Sequence, residues 1–249
     1  MAGSLSLGGN TIATHTGPKG TGTVSLSTTQ LSTTQLNGMD VVKADTNTDP
    51  FGDSSQIRFY NFQDGATDVM GNSNGTLKNA NISVSSIVHD LSNEKNIYFD
   101  GTSYMTIPAI NTTTFSVSFW IRGFNFDNVG FIGIFGNQAN PYGQIATYPT
   151  LKLYRDAEYT FTTSTTLAND VLHHLVWTAN SGADLMYLNN VSIGTSGVTV
   201  GLNTTLYVGT ASTQVGNATY APKAYYRNIR IFNKQLSAAE VNTLYTGKL

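Results

Sequence analysis

The chain has 249 residues and a formal charge of −2, from 13 Lys and Arg against 15 Asp and Glu, with no basic run, which excludes a nucleic-acid footprint built on phosphate neutralisation. Only 11% of positions are charged, against about 25% in typical globular chains, while Thr, Ser, Asn and Gly fill 104 positions. Cysteine is absent, so disulfide frameworks, thiolate metal sites and cysteine nucleophiles drop out together, and no apolar run approaches the roughly 18 residues of a membrane helix.

The first fifty residues stand apart. All 27 aromatic residues lie from Phe51 onward, and aromatic side chains dominate core burial, so this stretch is poorly equipped to form an independent globule. It carries a tandem repeat, Ser27-Thr28-Thr29-Gln30-Leu31 followed by Ser32-Thr33-Thr34-Gln35-Leu36. Turn material (Gly8-Gly9-Asn10, Gly17-Pro18-Lys19-Gly20) separates short alternations such as Val24-Ser25-Leu26. Residues 1–55 are expected to be an arm, strand-rich or extended, that orders against a partner; a linker-like tail is the alternative. The start, Met1 to Leu5, has neither the basic nor the apolar region of a secretory signal, so export is not expected. Asn-x-Ser/Thr sequons at Asn74, Asn81, Asn111, Asn190, Asn203 and Asn217 are then expected to stay unmodified.

From residue 56 the pattern has period two. Phe115, Val117, Phe119 and Ile121 alternate with Ser116, Ser118, Trp120 and Arg122, as in a half-buried strand. Similar runs occupy 57–62, 96–99, 131–135, 151–154, 159–162, 172–178, 184–188, 205–208 and 228–232. Turn pairs Asp100-Gly101, Ser181-Gly182 and Asn189-Asn190 separate some of them. Many short strands at this spacing predict an all-β fold, a two-sheet antiparallel sandwich over residues 56–249. One short C-terminal helix is signalled by the Ser237-x-x-Glu240 capping box and by Leu236 and Val241 at the staple positions. Gly247 is placed for a left-handed C-terminal cap.

The order of these pieces resembles a known family. Ile57-Arg58-Phe59-Tyr60-Asn61-Phe62, then Tyr98-Phe99-Asp100-Gly101-Thr102-Ser103-Tyr104, then Phe115-Ser116-Val117-Ser118-Phe119-Trp120-Ile121, and finally Asn228-Ile229-Arg230-Ile231-Phe232 before the helix, is similar to the concanavalin A-like lectin/glucanase superfamily, in its laminin-G and pentraxin-like branch. The resemblance implies a jelly roll and leaves lectin, adhesion and glucanase roles open. It also implies a test for calcium, which several members bind through Asp and Asn oxygens. Asp64, Asp68, Asn72 and Asn74 cluster in one Gly-rich loop and are the candidate metal ligands, although a hydrogen-bonded Asx-rich loop is the preferred reading. No resident cofactor other than Ca2+ is suggested.

Glycoside hydrolysis needs two carboxyl groups on one face. The chain has three Glu (Glu94, Glu158, Glu240) and no Glu-x-Asp-x-Glu run. Asp156 with Glu158 reads as a hairpin tip, and His173-His174 has no Ser or Asp motif beside it, so no enzymatic activity is expected. For sugar binding, stacking aromatics and hydrogen-bonding side chains are wanted; Trp120, Tyr142, Tyr148 and Arg155 are the candidates. The function expected is a non-enzymatic structural protein of a bacteriophage virion: a capsid decoration, head fibre or tail-associated part at the virion surface. Residues 1–50 would anchor it to other virion proteins, and a homo-oligomer, with a trimer favoured, would present the lectin-like domain to glycans. A cell-surface carbohydrate-binding adhesin is the alternative and a glycoside hydrolase the weaker one; nucleic-acid and membrane partners are not expected.

Overall fold

The computed structural model describes residues 3–7, 10–15, 35–36, 39–40, 49–79, 84–85, 95–127, 130–138, 143–155, 158–162, 164–180, 183–196 and 201–247. The chain divides into two units, Met1–Thr46 and Asn47–Leu249. In the first, β1 (Gly3–Leu7) pairs antiparallel with β2 (Asn10–His15), and β3 (Gln35–Leu36) with β4 (Met39–Asp40). Most of the tandem repeat lies outside the described residues.

The second unit contains β5 (Gln56–Tyr60), β6 (Thr76–Lys78), β7 (Val84–Ser85), β8 (Asn96–Asp100), β9 (Tyr104–Ile107), β10 (Phe115–Gly123), β11 (Ile132–Asn137), β12 (Gly143–Tyr148), β13 (Thr150–Arg155), β14 (Glu158–Thr162), β15 (Leu172–Asn180), β16 (Ala183–Leu188), β17 (Val191–Ser196), β18 (Leu206–Val208), β19 (Lys223–Phe232) and α1 (Ala238–Thr246). An eight-stranded sheet runs β17-β16-β15-β10-β19-β8-β7, with β5 also on β19. A seven-stranded sheet runs β14-β13-β12-β11-β18-β9-β6. Every pairing is antiparallel, and the two sheets form the expected jelly-roll sandwich.

The alternation in β10 does what period two requires. Phe115, Val117, Phe119 and Ile121 are buried in the core between the sheets, with Leu175 and Trp177 of β15 and Ile134, Ile145, Leu153 and Val208 of the other sheet. Phe119 stacks on Phe135 at 6.0 Å between centroids. In β19 the inward residues are Tyr226 and then Ile229, three positions on. A bulge absorbs the extra residue: Ser118 faces Arg230 but Trp120 faces Arg227, and Asn228 takes φ 50°.

A second, smaller core lies on the outer face of the eight-stranded sheet. Val241 and Leu244 of α1 pack there with Val176, Tyr187, Phe232 and Leu236, and Phe51 packs against them. The helix begins as expected: Ser237 Oγ accepts from the Glu240 amide (3.3 Å) and Glu240 Oε2 from the Ser237 amide (2.8 Å). Lys234 bridges Asp53 and Glu240, tying the entry to the sandwich to the helix start. Gly247 departs from expectation. Its backbone is right-handed (φ −75°, ψ −8°), and its N–H completes a helical bond to Thr243 O at 3.0 Å, so no left-handed turn is needed.

Candidate functional site

The outer face of the eight-stranded sheet has two halves with different fates. Under α1, Trp120 is enclosed. Tyr245 stacks on it (5.7 Å, 15°), His174 lies 4.7 Å away on the same face, and the Arg227 guanidinium sits 5.5 Å from its ring. Only 6% of Trp120 is exposed. It points to the polar side of its strand, as expected, but the helix turns that side into a core, so Trp120 offers no free face for a sugar.

Two residues further along β10 the face is open. Arg122 of β10, Tyr225 of β19 and Tyr98 of β8 lie opposite one another in register, so their side chains emerge in one row. Phe124, just past the end of β10 and 40% exposed, completes a cluster of three rings. Centroid distances are 4.8 Å for Tyr98–Tyr225, 5.9 Å for Phe124–Tyr225 and 6.4 Å for Tyr98–Phe124. At one side Arg122 donates through Nε (2.9 Å) and Nη2 (2.6 Å) to Asp170 Oδ1, with its guanidinium 6.0 Å from the Phe124 ring. Asp170 holds φ 61° and gives its N–H to Gly123 O at 2.7 Å, which brings its carboxylate beside the row. At the other side Lys223 faces Asp100 in the ladder. Burial works against the Asp100 charge, but hydrogen bonds from Thr102 and Ser103 outweigh it and hold the carboxyl at about 2. Partial burial, with Tyr225 and Asp100 nearby, pushes the Tyr98 hydroxyl upward, so it stays a neutral donor.

The other sugar candidates are not brought together. Tyr148, 41% exposed, sits at one end of the β12–β13 ladder with Lys152 Nζ 5.4 Å from its ring. Arg155 ends β13 at the opposite end of that ladder, and both belong to the sheet that lacks Trp120. Tyr142 lies outside the described residues.

Asp68 is the hub of the 61–75 loop. Its Oδ1 accepts from the amides of Phe59 (2.9 Å) and Met70 (3.0 Å), and its Oδ2 from those of Asn72 and Ser73 (both 3.0 Å), with Arg58 Nε 3.9 Å away. Asn74 Oδ1 accepts from the Asp68 amide and the Asn72 amide group donates to Ile57 O. Asp64 is exposed. A cation at Asp68 would displace four backbone donors, so this loop does not fit calcium. Among the described residues, no group of three His, Asp or Glu is arranged to hold a metal, and no helix is long and apolar enough to cross a membrane.

The sheet does supply the serine that sequence proximity lacked. Ser118 Oγ lies 2.8 Å from His174 Nε2, 56 positions away. Both are fully buried beneath Trp120 and Tyr245, out of reach of substrate. Burial, then the charge of Arg227, lowers the His174 imidazole to about 3, so it is neutral. Arg155 of β13 lies opposite Glu158 of β14 in the ladder; Asp156 lies outside the described residues.

Over residues 99–242 the sequence matches the Concanavalin A-like lectin/glucanases superfamily. The chain belongs to this superfamily. No curated protein matches it. Among solved structures, domain 4 of AbnA, a GH43 extracellular arabinanase from Geobacillus stearothermophilus in complex with arabinotriose, is similar at a TM-score of 0.63 and 18% identity, covering 77% of this chain and 98% of that one. The botulinum neurotoxin serotype D ligand binding domain in complex with N-acetylneuraminic acid is similar at 0.60 and 18%, covering 78% and 51%. Trypanosoma rangeli sialidase in complex with sialic acid is similar at 0.61 and 15%, covering 78% and 33%. The superfamily domain therefore spans about half of the toxin domain and a third of the sialidase. At these identities the likeness concerns the fold.

Proposed function

We propose that the second unit is a non-enzymatic glycan-binding module and that the first unit fastens it to a larger assembly, a bacteriophage particle. The observation that carries the binding role is the Tyr98–Phe124–Tyr225 cluster. Three neighbouring rings, Tyr98 and Tyr225 half-buried on paired strands and Phe124 exposed just beyond β10, stand with the polar Arg122–Asp170 pair beside them. Aromatic faces stack on the C–H faces of sugars while flanking polar groups take the hydroxyls. One similar structure, covered over 98% of its length, is a domain in complex with arabinotriose, and another, covered over 51%, is a ligand binding domain in complex with N-acetylneuraminic acid. The non-enzymatic reading draws support from the enclosure of His174 and Ser118 and from the commitment of Asp68 to backbone donors.

The attachment role draws its support from the composition of residues 1–46, which hold no aromatic side chain to form a core. Probing a broad glycan array with the full chain and with Tyr225→Ala tests the first part; an array on which the intact protein gives no signal refutes it. Deleting residues 1–46 tests the second. A virion component loses incorporation into particles while its sandwich stays folded, whereas an adhesin keeps its glycan signal and has no particle to join.

A further inference from the structure

We infer that the ligand of the Tyr98–Phe124–Tyr225 cluster is an uncharged sugar, gripped by its hydroxyls between Arg122 and Asp170. This rests on the glycan-binding reading above. The argument is one of charge and valence. An acidic sugar needs a cation free to receive its carboxylate, commonly an arginine offering two parallel N–H groups. Arg122 already spends Nε and Nη2 on one oxygen of Asp170, so a second carboxylate on its remaining Nη1 edge would lie beside one already there. The other end of the row carries Lys223, but Asp100 stands opposite it in the ladder, and its carboxyl is held ionised. The cluster is therefore flanked by two positive and two negative side chains, with a carboxylate at each end. Such a surface carries no net charge to attract an anion.

The same valence count favours hydroxyl groups. Asp170, with its side chain 63% exposed, uses Oδ1 for Arg122. Among the described residues its Oδ2 has no hydrogen-bond donor, and the Arg122 Nη1 group no acceptor. An acceptor beside a donor suits two neighbouring sugar hydroxyls, each of which both gives and takes a hydrogen bond. The rings below fit the apolar side of such a sugar, and the Tyr98 hydroxyl adds a neutral donor.

A glycan array carrying neutral oligosaccharides beside their sialylated, uronate and sulfated counterparts decides the matter, using the full chain, Phe124→Ala and Asp170→Asn. Asn tolerates the positive φ at position 170, and Phe124 lies at the surface, so both variants are expected to fold, which circular dichroism verifies. The expected result is signal on neutral glycans that is insensitive to added sodium chloride, falls about five- to tenfold in Phe124→Ala, and shifts towards acidic glycans in Asp170→Asn. Strong preference of the intact protein for acidic glycans overturns this inference and leaves the glycan-binding reading standing. Silence across the whole array overturns both. A Phe124→Ala variant that keeps its glycan signal but changes its sedimentation coefficient assigns the cluster to subunit contact, which overturns this inference and moves glycan binding elsewhere on the unit.

Discussion

Asp184 should lower the stability of the fold as pH rises. It lies inward on β16, 1% exposed, between Ala179 and Ser196 in the ladder. Neither of its oxygens has a hydrogen-bond partner among the described residues. Burial pushes its carboxyl up to about 7 from an ordinary 3.8, and the Trp177 indole N–H, which falls outside hydrogen-bond geometry, draws it only partly back. The folded protein thus holds this proton where the unfolded chain has lost it. Stability from Asp184 is complete below about pH 4 and is lost as pH rises towards 7. A gap of about three pH units corresponds to about 4 kcal/mol. His174 works in the opposite sense. Burial, then Arg227, lowers its imidazole to about 3 from 6.5, so the unfolded chain binds a proton that the folded protein refuses. Its contribution is present above about pH 6.5 and is lost as pH falls towards 3. Between about pH 4 and 6.5 the two slopes, each about 1.4 kcal/mol per pH unit, cancel.

The perturbation that separates them is Asp184→Asn, which mimics the protonated acid. Guanidinium denaturation followed by tryptophan fluorescence reports the second unit alone, because both tryptophans lie there. At pH 4 the variant and wild type should be nearly equally stable. By pH 8 the variant should be more stable by about 4 kcal/mol, with the His174 slope exposed in between. Taking the difference between the two proteins at each pH removes every other titration, including that of Asp53, which its hydrogen bond to Lys234 holds at about 2. A stability gap that stays constant from pH 4 to pH 8 refutes the reasoning, since it would mean the carboxylate is ionised in the fold throughout.

Asp68→Ala leaves four backbone donors without their acceptor and should cost about 3 kcal/mol in the same denaturation assay. Calcium should leave the wild-type melting temperature unchanged, and a clear rise on calcium addition would return the loop to the metal-ligand reading. Trp120→Ala should cost about 3–5 kcal/mol, since it empties a site enclosed by Tyr245 and His174; a fully stable variant with a weakened glycan signal would place Trp120 in the binding surface instead. Ser237→Ala removes one half of the capping box and should cost about 1 kcal/mol in urea titration, and an unchanged midpoint would show that α1 is held by packing alone.

What could be read from the residues depended on whether their periodicity survived. β10 keeps its alternation, while β15 and β16 are short runs rich in apolar and aromatic residues; all three were legible almost to their ends, and the capping box is local chemistry that tertiary contacts did not disturb. β12 was missed because Gly143, Gln144 and Ala146 carry little β signal, although all three are buried. β17, interrupted by Gly194, was missed for the same kind of reason. The start of β19 was hidden by its bulge. With Tyr226 and Ile229 both inward, the pattern slips by one residue at Asn228, so the alternation visible from 228 onward does not extend back to Lys223. That slip concealed Tyr225, and Phe124 fell beyond the expected end of its strand. Two of the three rings in the cluster were lost to boundaries.

Trp120 and Arg122 show why a site is harder to read than a strand. Both alternate outward on β10, and nothing in the spacing separates a residue that α1 will cover from one it will leave open. The helix is nine residues long, about 14 Å at 1.5 Å per residue, while the face it lands on is several strands wide. Where it lands depends on Phe232, Leu236 and Val176, which it needs beneath Val241 and Leu244. Those residues lie towards the end of β19 away from Tyr225, so covering them leaves the Arg122–Tyr225–Tyr98 row in solvent. The open rings are therefore the remainder of a packing solution, held by strands that three ladders already fix. A ligand settling there would order little that is not ordered beforehand, which would lower the entropic cost of binding.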